Sequence, residues 1–259
     1  VILERKRFAE TTFAVVDVET TGVDPQLDRV VEVACVVLRG GARVETFSTL
    51  VDPGRAIPAT ASAVHHLTDA HVRGAPRLGE VAERLRALTR DAVIVAHNAA
   101  FDLRFLPFLA DRPWLCSMRF ARAVMPDAPN HKNQVLRYHL GIDDPALETA
   151  SAHRALGDAI VTSRVFTICV ERYLATGGTD DVPAAVAEVM RPRPLPALTF
   201  GRHRGKPIVD VPRDYLEWLA REGDLGSPDV ALTVRGELAR RGGGRPATPT
   251  QQHVRRRMS

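Results

Sequence analysis

The chain has 259 residues, 45% hydrophobic and 5% aromatic, with a formal net charge of +4. That is enough for one medium domain with an appendage and an aliphatic core. No run approaches the ~20 apolar residues of a membrane span, and the opening V-I-L-E-R-K-R-F-A-E is charged where a signal peptide is apolar, so a soluble, cytoplasmic protein without a membrane partner is expected.

The first predicted element lies in F-A-V-V-D-V-E-T-T-G, where Phe13 to Val16 reads as a buried strand and alternation places Asp17 and Glu19 on one face. Two carboxylates on a core strand repel each other and lose hydration. A divalent cation between them is the simplest remedy. Thr20, Thr21 and Gly22 follow, a turn able to approach a bulky polar ligand closely. Strands over Val30–Leu38 and Val44–Val51, separated by Gly40 and Gly41, predict an antiparallel meander. Leu78, Val81, Ala82, Leu85 and Leu88 mark the apolar face of a helix.

A strand over Ala92–Ala96 then runs into His97 and Asn98. The next helix, from about Ala99, repeats Phe101, Phe105, Phe108 and Leu109 at helical spacing, with Asp102 in its first turn. After a short strand near Trp114, S-A-H-R-A-L-G-D opens a long helix with Ser151 as the expected N-cap. Five helical residues rotate by roughly 500°, leaving His153 and Asp158 about 140° apart, so the two converge only if His153 sits at the helix start. Strands interleaved with helices after a meander give a mixed α/β sheet.

Prolines 192, 194 and 196 predict a stiff connector. Beyond it, F-G-R-H-R-G-K-P-I reads as a tight basic turn presenting Arg202, Arg204 and Lys206. Pro212 then starts a helix whose apolar face is Tyr215, Leu216, Trp218 and Leu219. So small a unit has a marginal core, which points to packing on the rest of the protein or to a place in an interface. Residues 191–259 hold 14 Lys or Arg against 7 Asp or Glu, whereas residues 1–190 hold 21 against 24. A basic region appended to an acidic body suggests a grip on a polyanion. Cys35, Cys116 and Cys169 are widely spaced among apolar residues, as buried hydrophobes rather than zinc ligands or a disulfide framework.

D-V-E-T-T-G, H-N-A-A-F-D and H-R-A-L-G-D, in this order, resemble the three motifs of the Asp-Glu-Asp-Asp 3′-5′ exonucleases of the variety with a histidine in the third motif. The proofreading subunit of bacterial DNA polymerase III belongs to that group. A-V-H-H-L-T-D-A-H-V, W-L-C-S-M-R-F-A-R and F-G-R-H-R-G-K make the chain look like an exodeoxyribonuclease X-like member.

The resemblance implies a ribonuclease H-like mixed sheet flanked by helices, with a small C-terminal unit. The expected organisation is an exonuclease domain over 1–175, a linker with a short helix over 176–196, a basic unit over 197–241 and a disordered tail over 242–259. The implied activity is removal of nucleoside 5′-monophosphates from DNA 3′ ends, in repair or proofreading. A 3′-5′ exoribonuclease or oligoribonuclease acting on RNA, or a catalytically silent nucleic-acid-binding adaptor, are the alternatives.

The implied cofactor is a pair of Mg²⁺ ions, with Mn²⁺ as a substitute. By the same resemblance Asp17 bridges the ions, Glu19 and Asp158 complete the first site, Asp102 serves the second mainly through water, and His153 is the general base. Thr20, Val23, His65, His66, Leu67, Asn98 and Phe101 match the positions that hold the terminal nucleotide; Phe101 and Leu67 are expected to bracket its base, and Thr20 to bond its 3′-hydroxyl. Protein partners are not indicated.

Overall fold

In the computed structural model, which describes residues 5–147, 153–222 and 227–242, the β-branched runs form one five-stranded sheet in the order β3-β2-β1-β4-β5. β1 (Thr12–Thr20), β2 (Val30–Arg39) and β3 (Ala42–Leu50) are the expected antiparallel meander. Gly40 and Gly41, with φ of 56° and 78°, make the two-residue turn between β2 and β3. Positive φ at both positions matches the twist of the flanking strands. Helices α1 (Ala59–His65), α2 (Asp69–Val72) and α3 (Leu78–Leu88) then lead to β4 (Ala92–Ala96), which pairs in parallel with β1. α4 (Ala100–Phe105), β5 (Trp114–Cys116), α5 (Ser117–Val124), α6 (Asn133–His139), α7 (Ala155–Ala175) and α8 (Val182–Val189) complete the first unit, residues 1–191.

Both faces of the sheet are covered. Phe13 and Val15 pack with Ile160, Val165 and Phe166 of α7, whereas Ala14, Val16 and Val18 pack with Val81 and Leu85 of α3 and with Phe105. Asp17 and Glu19 continue the Phe13–Val15 row and therefore emerge on the α7 face. The β1–β4 ladder ends at Val15 and Val95, so β1 runs on past its parallel neighbour as it reaches Asp17. Open α/β sheets bind ligands in the crevice outside the carboxyl ends of such strands.

Two helix expectations need correction. α4 ends at Phe105, because Pro107 has no amide to continue the ladder and restricts the residue before it. Phe108 and Leu109 fall in a separate 3₁₀ turn, Pro107–Leu109. α7 starts at Ala155 with Arg154 as N-cap; Ser151 lies outside the described residues.

The segment expected as a linker, 176–196, is divided. Val182, Ala185 and Val189 of α8 join the core formed with α7, and Tyr173 Oη donates to Glu188 Oε2 at 2.6 Å. α8 is thus part of the first unit, and the division falls between residues 191 and 192. The second unit has its own core of Leu198, Val211, Tyr215, Leu216, Leu219, Val230 and Val234, built on α9 (Arg213–Glu222) and α10 (Pro228–Arg240). Arg241 fastens it, donating to the carbonyls of Ile208, Val209 and Val211 and to Glu237. The three cysteines are buried free thiols. Among the described residues no helix is long and apolar enough to cross a membrane.

Candidate metal and nuclease site

Asp17 and Glu19 stand near the carboxyl end of the central strand, opposite Ala34 and Glu32 of β2. Asp158, in the first turn of α7, meets them there: one ligand oxygen from each of Asp17, Glu19 and Asp158 lies within 4.8 Å of the others. Asp158 is held from two sides. Gln134 Nε2 donates to Oδ1, and the His153 amide donates to Oδ2 at 3.2 Å. Asn133 Nδ2 adds bonds to the Asp158 carbonyl and to Thr162 Oγ1, both 3.0 Å. His153 takes φ of 57° just outside α7, with its side chain exposed. The 140° separation of two helical residues therefore does not apply.

Asp102 is buried at the start of α4 and raises the pKa of Asp17 by its charge, although it lies outside the 4.8 Å group. Before it, His97 Nε2–H donates to the His131 carbonyl at 2.7 Å and Nδ1 meets Ser117 Oγ at 2.9 Å. Burial drives its pKa down to about 4, so the ring is a neutral strut between β4 and the segment leading to α6.

Burial raises the Glu19 carboxyl to about 8, with Asp158, Glu32 and Asp102 adding repulsion and Arg154 opposing it. Asp17 is pushed well above the usual range by burial and then by Asp102, Asp158 and Glu19. Burial raises Asp102 to about 8 against the pull of its own amide and that of Val18. Asp158 is raised by burial and restrained by Gln134 and His153. Crowded carboxylates that ionise only against a penalty, with oxygen as the donor of all three ligands, fit hard divalent cations better than zinc.

This electrostatic arrangement makes a pH prediction for the metal-free protein. A carboxyl whose folded-state pKa is raised to about 8 from 4.5 binds its proton more tightly when folded, so its stabilising contribution is present below the unfolded value and is lost as pH rises through 8. In a chelator the melting temperature should fall between about pH 5 and 8. Added Mg²⁺ should restore it most at the alkaline end. Scanning calorimetry across that window decides the matter; a metal-free melting temperature that climbs with pH would exclude a protonated cluster.

Glu32 and Arg154 were not recognised in the sequence. Glu32 is 3% exposed on β2 and takes a bidentate bond from Arg154, Nη2 at 2.7 Å and Nε at 3.0 Å. It also accepts the Ala155 amide at 3.0 Å, capping α7 from the sheet. A lone acid inside V-V-E-V-A-C-V-V-L was the available signal. Arg154→Ala should destabilise the fold by about 2–3 kcal/mol, below the ~3–5 kcal/mol of a fully buried pair because the arginine is partly solvated. Adding Glu32→Gln should recover part of that loss in denaturant titrations; strict additivity of the two changes would remove the pair from the account.

The expected nucleotide contacts separate into inner and outer sets. Thr20 is buried and donates its hydroxyl hydrogen to the Gly22 carbonyl at 2.5 Å, which leaves its oxygen as an acceptor. The room left by Gly22 is taken by the Asp28 carboxylate. His65 is 1% exposed, with Nδ1 accepting the Leu67 amide at 3.0 Å. Leu67, also 1% exposed, packs with Val31 and Val72 and does not offer itself to a base. The cause is His66, whose φ of 62° ends α1 and turns its neighbours inward while it remains exposed. Val23 is 74% exposed, Asn98 is exposed at φ of 71°, and Phe101 is half-buried with its ring 5.1 Å from that of Phe105. Arg202, Arg204 and Lys206 are exposed on the turn of the second unit.

Residues 14–166 match the exonuclease family RNase_T, and residues 194–232 match a second family, QSregVF_b, named for a quorum-sensing-regulated virulence factor. The chain is 32% identical to exodeoxyribonuclease 10 of Escherichia coli K12 over 85% of its length and 96% of that protein. It is 40% identical to a DNA polymerase III subunit epsilon-like protein of Rhodobacter capsulatus over 65% of its length, spanning only 25% of that relative. Among solved structures, exonuclease X in complex with 5′ overhanging duplex DNA aligns with a TM-score of 0.56 and 29% identity, covering 68% of this chain and 99% of the other. With the carboxylate cluster inside the matched segment and the family match extending over more than half of the sequence, the chain belongs to the exonuclease family.

Proposed function

We propose that the protein is a metal-dependent 3′-5′ exodeoxyribonuclease that releases nucleoside 5′-monophosphates. The observation that carries this reading is the convergence of Asp17, Glu19 and Asp158 within 4.8 Å, with His153 tied to Asp158 by its amide. Asp17, Glu19 and Asp158 would hold one Mg²⁺, and Asp102 with Asp17 would hold a second. Bound divalent cations supply a nucleophilic water at neutral pH and neutralise charge at phosphorus and the leaving oxygen. The exposed His153 imidazole takes the proton of the attacking water and returns it to solvent. Gln134 and the His153 amide fix the Asp158 carboxylate, and Arg154 holds Glu32 so that the α7 start keeps its place on the sheet. Thr20, Val23, His66, Asn98 and Phe101 remain as contacts for the terminal nucleotide, with the Thr20 oxygen accepting from its 3′-hydroxyl. Exodeoxyribonuclease 10 and the epsilon-like relative support DNA as the substrate class and repair or proofreading as the setting.

The deciding assay uses 3′- and 5′-labelled single-stranded and duplex DNA with matched RNA, in Mg²⁺, Mn²⁺ and Ca²⁺. Early release of label from the 3′ end of DNA is the expected result. Faster loss from RNA selects the oligoribonuclease reading, and no release with retained binding selects the silent adaptor.

The second unit grips the substrate in this reading, through Arg202, Arg204 and Lys206. Replacing all three should flatten the dependence of log K on log[salt] by roughly 2–3 units, at about 0.9 per contact on duplex and 0.7 on single strands. An unchanged slope would remove these cations from the DNA path.

A further inference from the structure

The second unit carries a hollow of about 350 Å³ lined by Arg202, Asp214, Tyr215 and Trp218. Tyr215 and Trp218 project from α9 with ring centroids 5.3 Å apart and planes 32° from parallel. Tyr215 belongs to the core of the unit, but Trp218 is 44% exposed and offers a free aromatic surface. The basic turn is fastened onto these rings: the Arg202 guanidinium lies 4.9 Å from the Tyr215 centroid, and His203 meets the same ring edge-on at 4.6 Å. Gly201 permits that approach, since its φ is 70° and the Tyr215 hydroxyl occupies the place of a β-carbon. Asp214 forms no hydrogen bond or ion pair among the described residues.

This combination narrows the ligand. Asp214 repels a bare phosphate, an apolar ligand makes no use of the Asp214 carboxylate, and a duplex is too wide for the volume. A nucleotide in a single strand satisfies all three chemistries at once: a flat base for Trp218, a phosphate for Arg202, and amino hydrogens for the Asp214 carboxylate. Arg204 and Lys206 extend the positive charge along the turn to neighbouring phosphates. We propose that this hollow binds one unpaired nucleotide of single-stranded DNA, with its base stacked on Trp218 and its phosphate held by Arg202. Asp214 favours bases with an exocyclic amino group over thymine, whose single ring N–H is flanked by carbonyl oxygens that the carboxylate repels. The inference rests on the reading of the second unit as the DNA grip and adds which part of the DNA it takes.

The test is fluorescence anisotropy of labelled ten-nucleotide oligo(dC) and oligo(dT) with the full chain in EDTA, where nothing is hydrolysed. Oligo(dC) should bind several-fold more tightly than oligo(dT), and Asp214→Asn should abolish that preference. Trp218→Ala should weaken both by about tenfold, whereas Trp218→Phe keeps most of the affinity. Neither Trp218 variant should alter the salt slope, because no phosphate contact is lost. Melting curves for each variant establish that it is folded. If folded Trp218→Ala and Asp214→Asn bind like the wild type while the Arg202, Arg204 and Lys206 replacement still flattens the slope, the nucleotide hollow is overturned and the grip stands. If that slope is also unchanged, both fall together.

Discussion

Asp17→Asn should reduce hydrolysis to background while leaving a folded protein that melts at a higher temperature than the wild type in the absence of metal. Both effects have one cause. Asp17 belongs to the three-carboxylate group and is the group on which Asp102, Asp158 and Glu19 all act. In the proposed centre its carboxylate is a cation ligand, and it is also the most crowded charge when no cation is present. Removing the charge deletes a metal ligand and relieves repulsion in the same step. The measurements are turnover on 3′-labelled DNA at saturating Mg²⁺ and calorimetry in a chelator, with circular dichroism as the control for fold. Wild-type turnover by purified Asp17→Asn would remove the proposed centre altogether. Loss of activity with a lowered melting temperature would retain the centre but refute the account of its electrostatics.

For His153→Ala the expected loss of rate is roughly 10²–10⁴, the usual range for a positioned general base. The metal affinity should change little, because the residue reaches Asp158 through its backbone amide, which alanine also possesses. The positive φ of 57° adds a small strain for any residue other than glycine and is common to both variants. Single-turnover rates together with Mg²⁺ titration by calorimetry separate the two effects. A variant within twofold of the wild type excludes the imidazole from proton transfer, and a large drop in metal affinity reassigns it to the ligand shell.

Much of the centre was legible because its parts are local. Alternation along β1 places Asp17 and Glu19 together whatever the tertiary fold, and the apolar runs around them mark the strand. Asp102 and Asp158 fall in first turns, where an acid is at home. Gln134 was not readable: it reaches Asp158 from 24 positions away through α6, and a single glutamine carries no periodic signal. Glu32 was readable in principle, since an acid in an otherwise apolar strand needs a partner. The misreadings share a physical origin. Phe108 and Leu109 keep helical spacing although Pro107 has ended the helix, so periodicity outlived the hydrogen bonds. His65 and Leu67, expected beside the terminal nucleotide, are directed inward by the left-handed turn at His66, which no periodicity signals.

The pairing of Arg7 with Asp181 has an architectural consequence. This isolated bridge, the Phe8 amide on Asp180 Oδ1 at 3.1 Å and the Arg7–Asp180 ion pair bring the segment that precedes β1 beside the approach to α8. Entry to the first unit thus lies one short helix, α8, from its exit at residues 191–192. A body with that property can be inserted into a loop of a host polypeptide by two short splices, like a cassette, without stretching either flank. The carboxylates of the proposed metal centre, all between Asp17 and Asp158, would travel with it as a complete set.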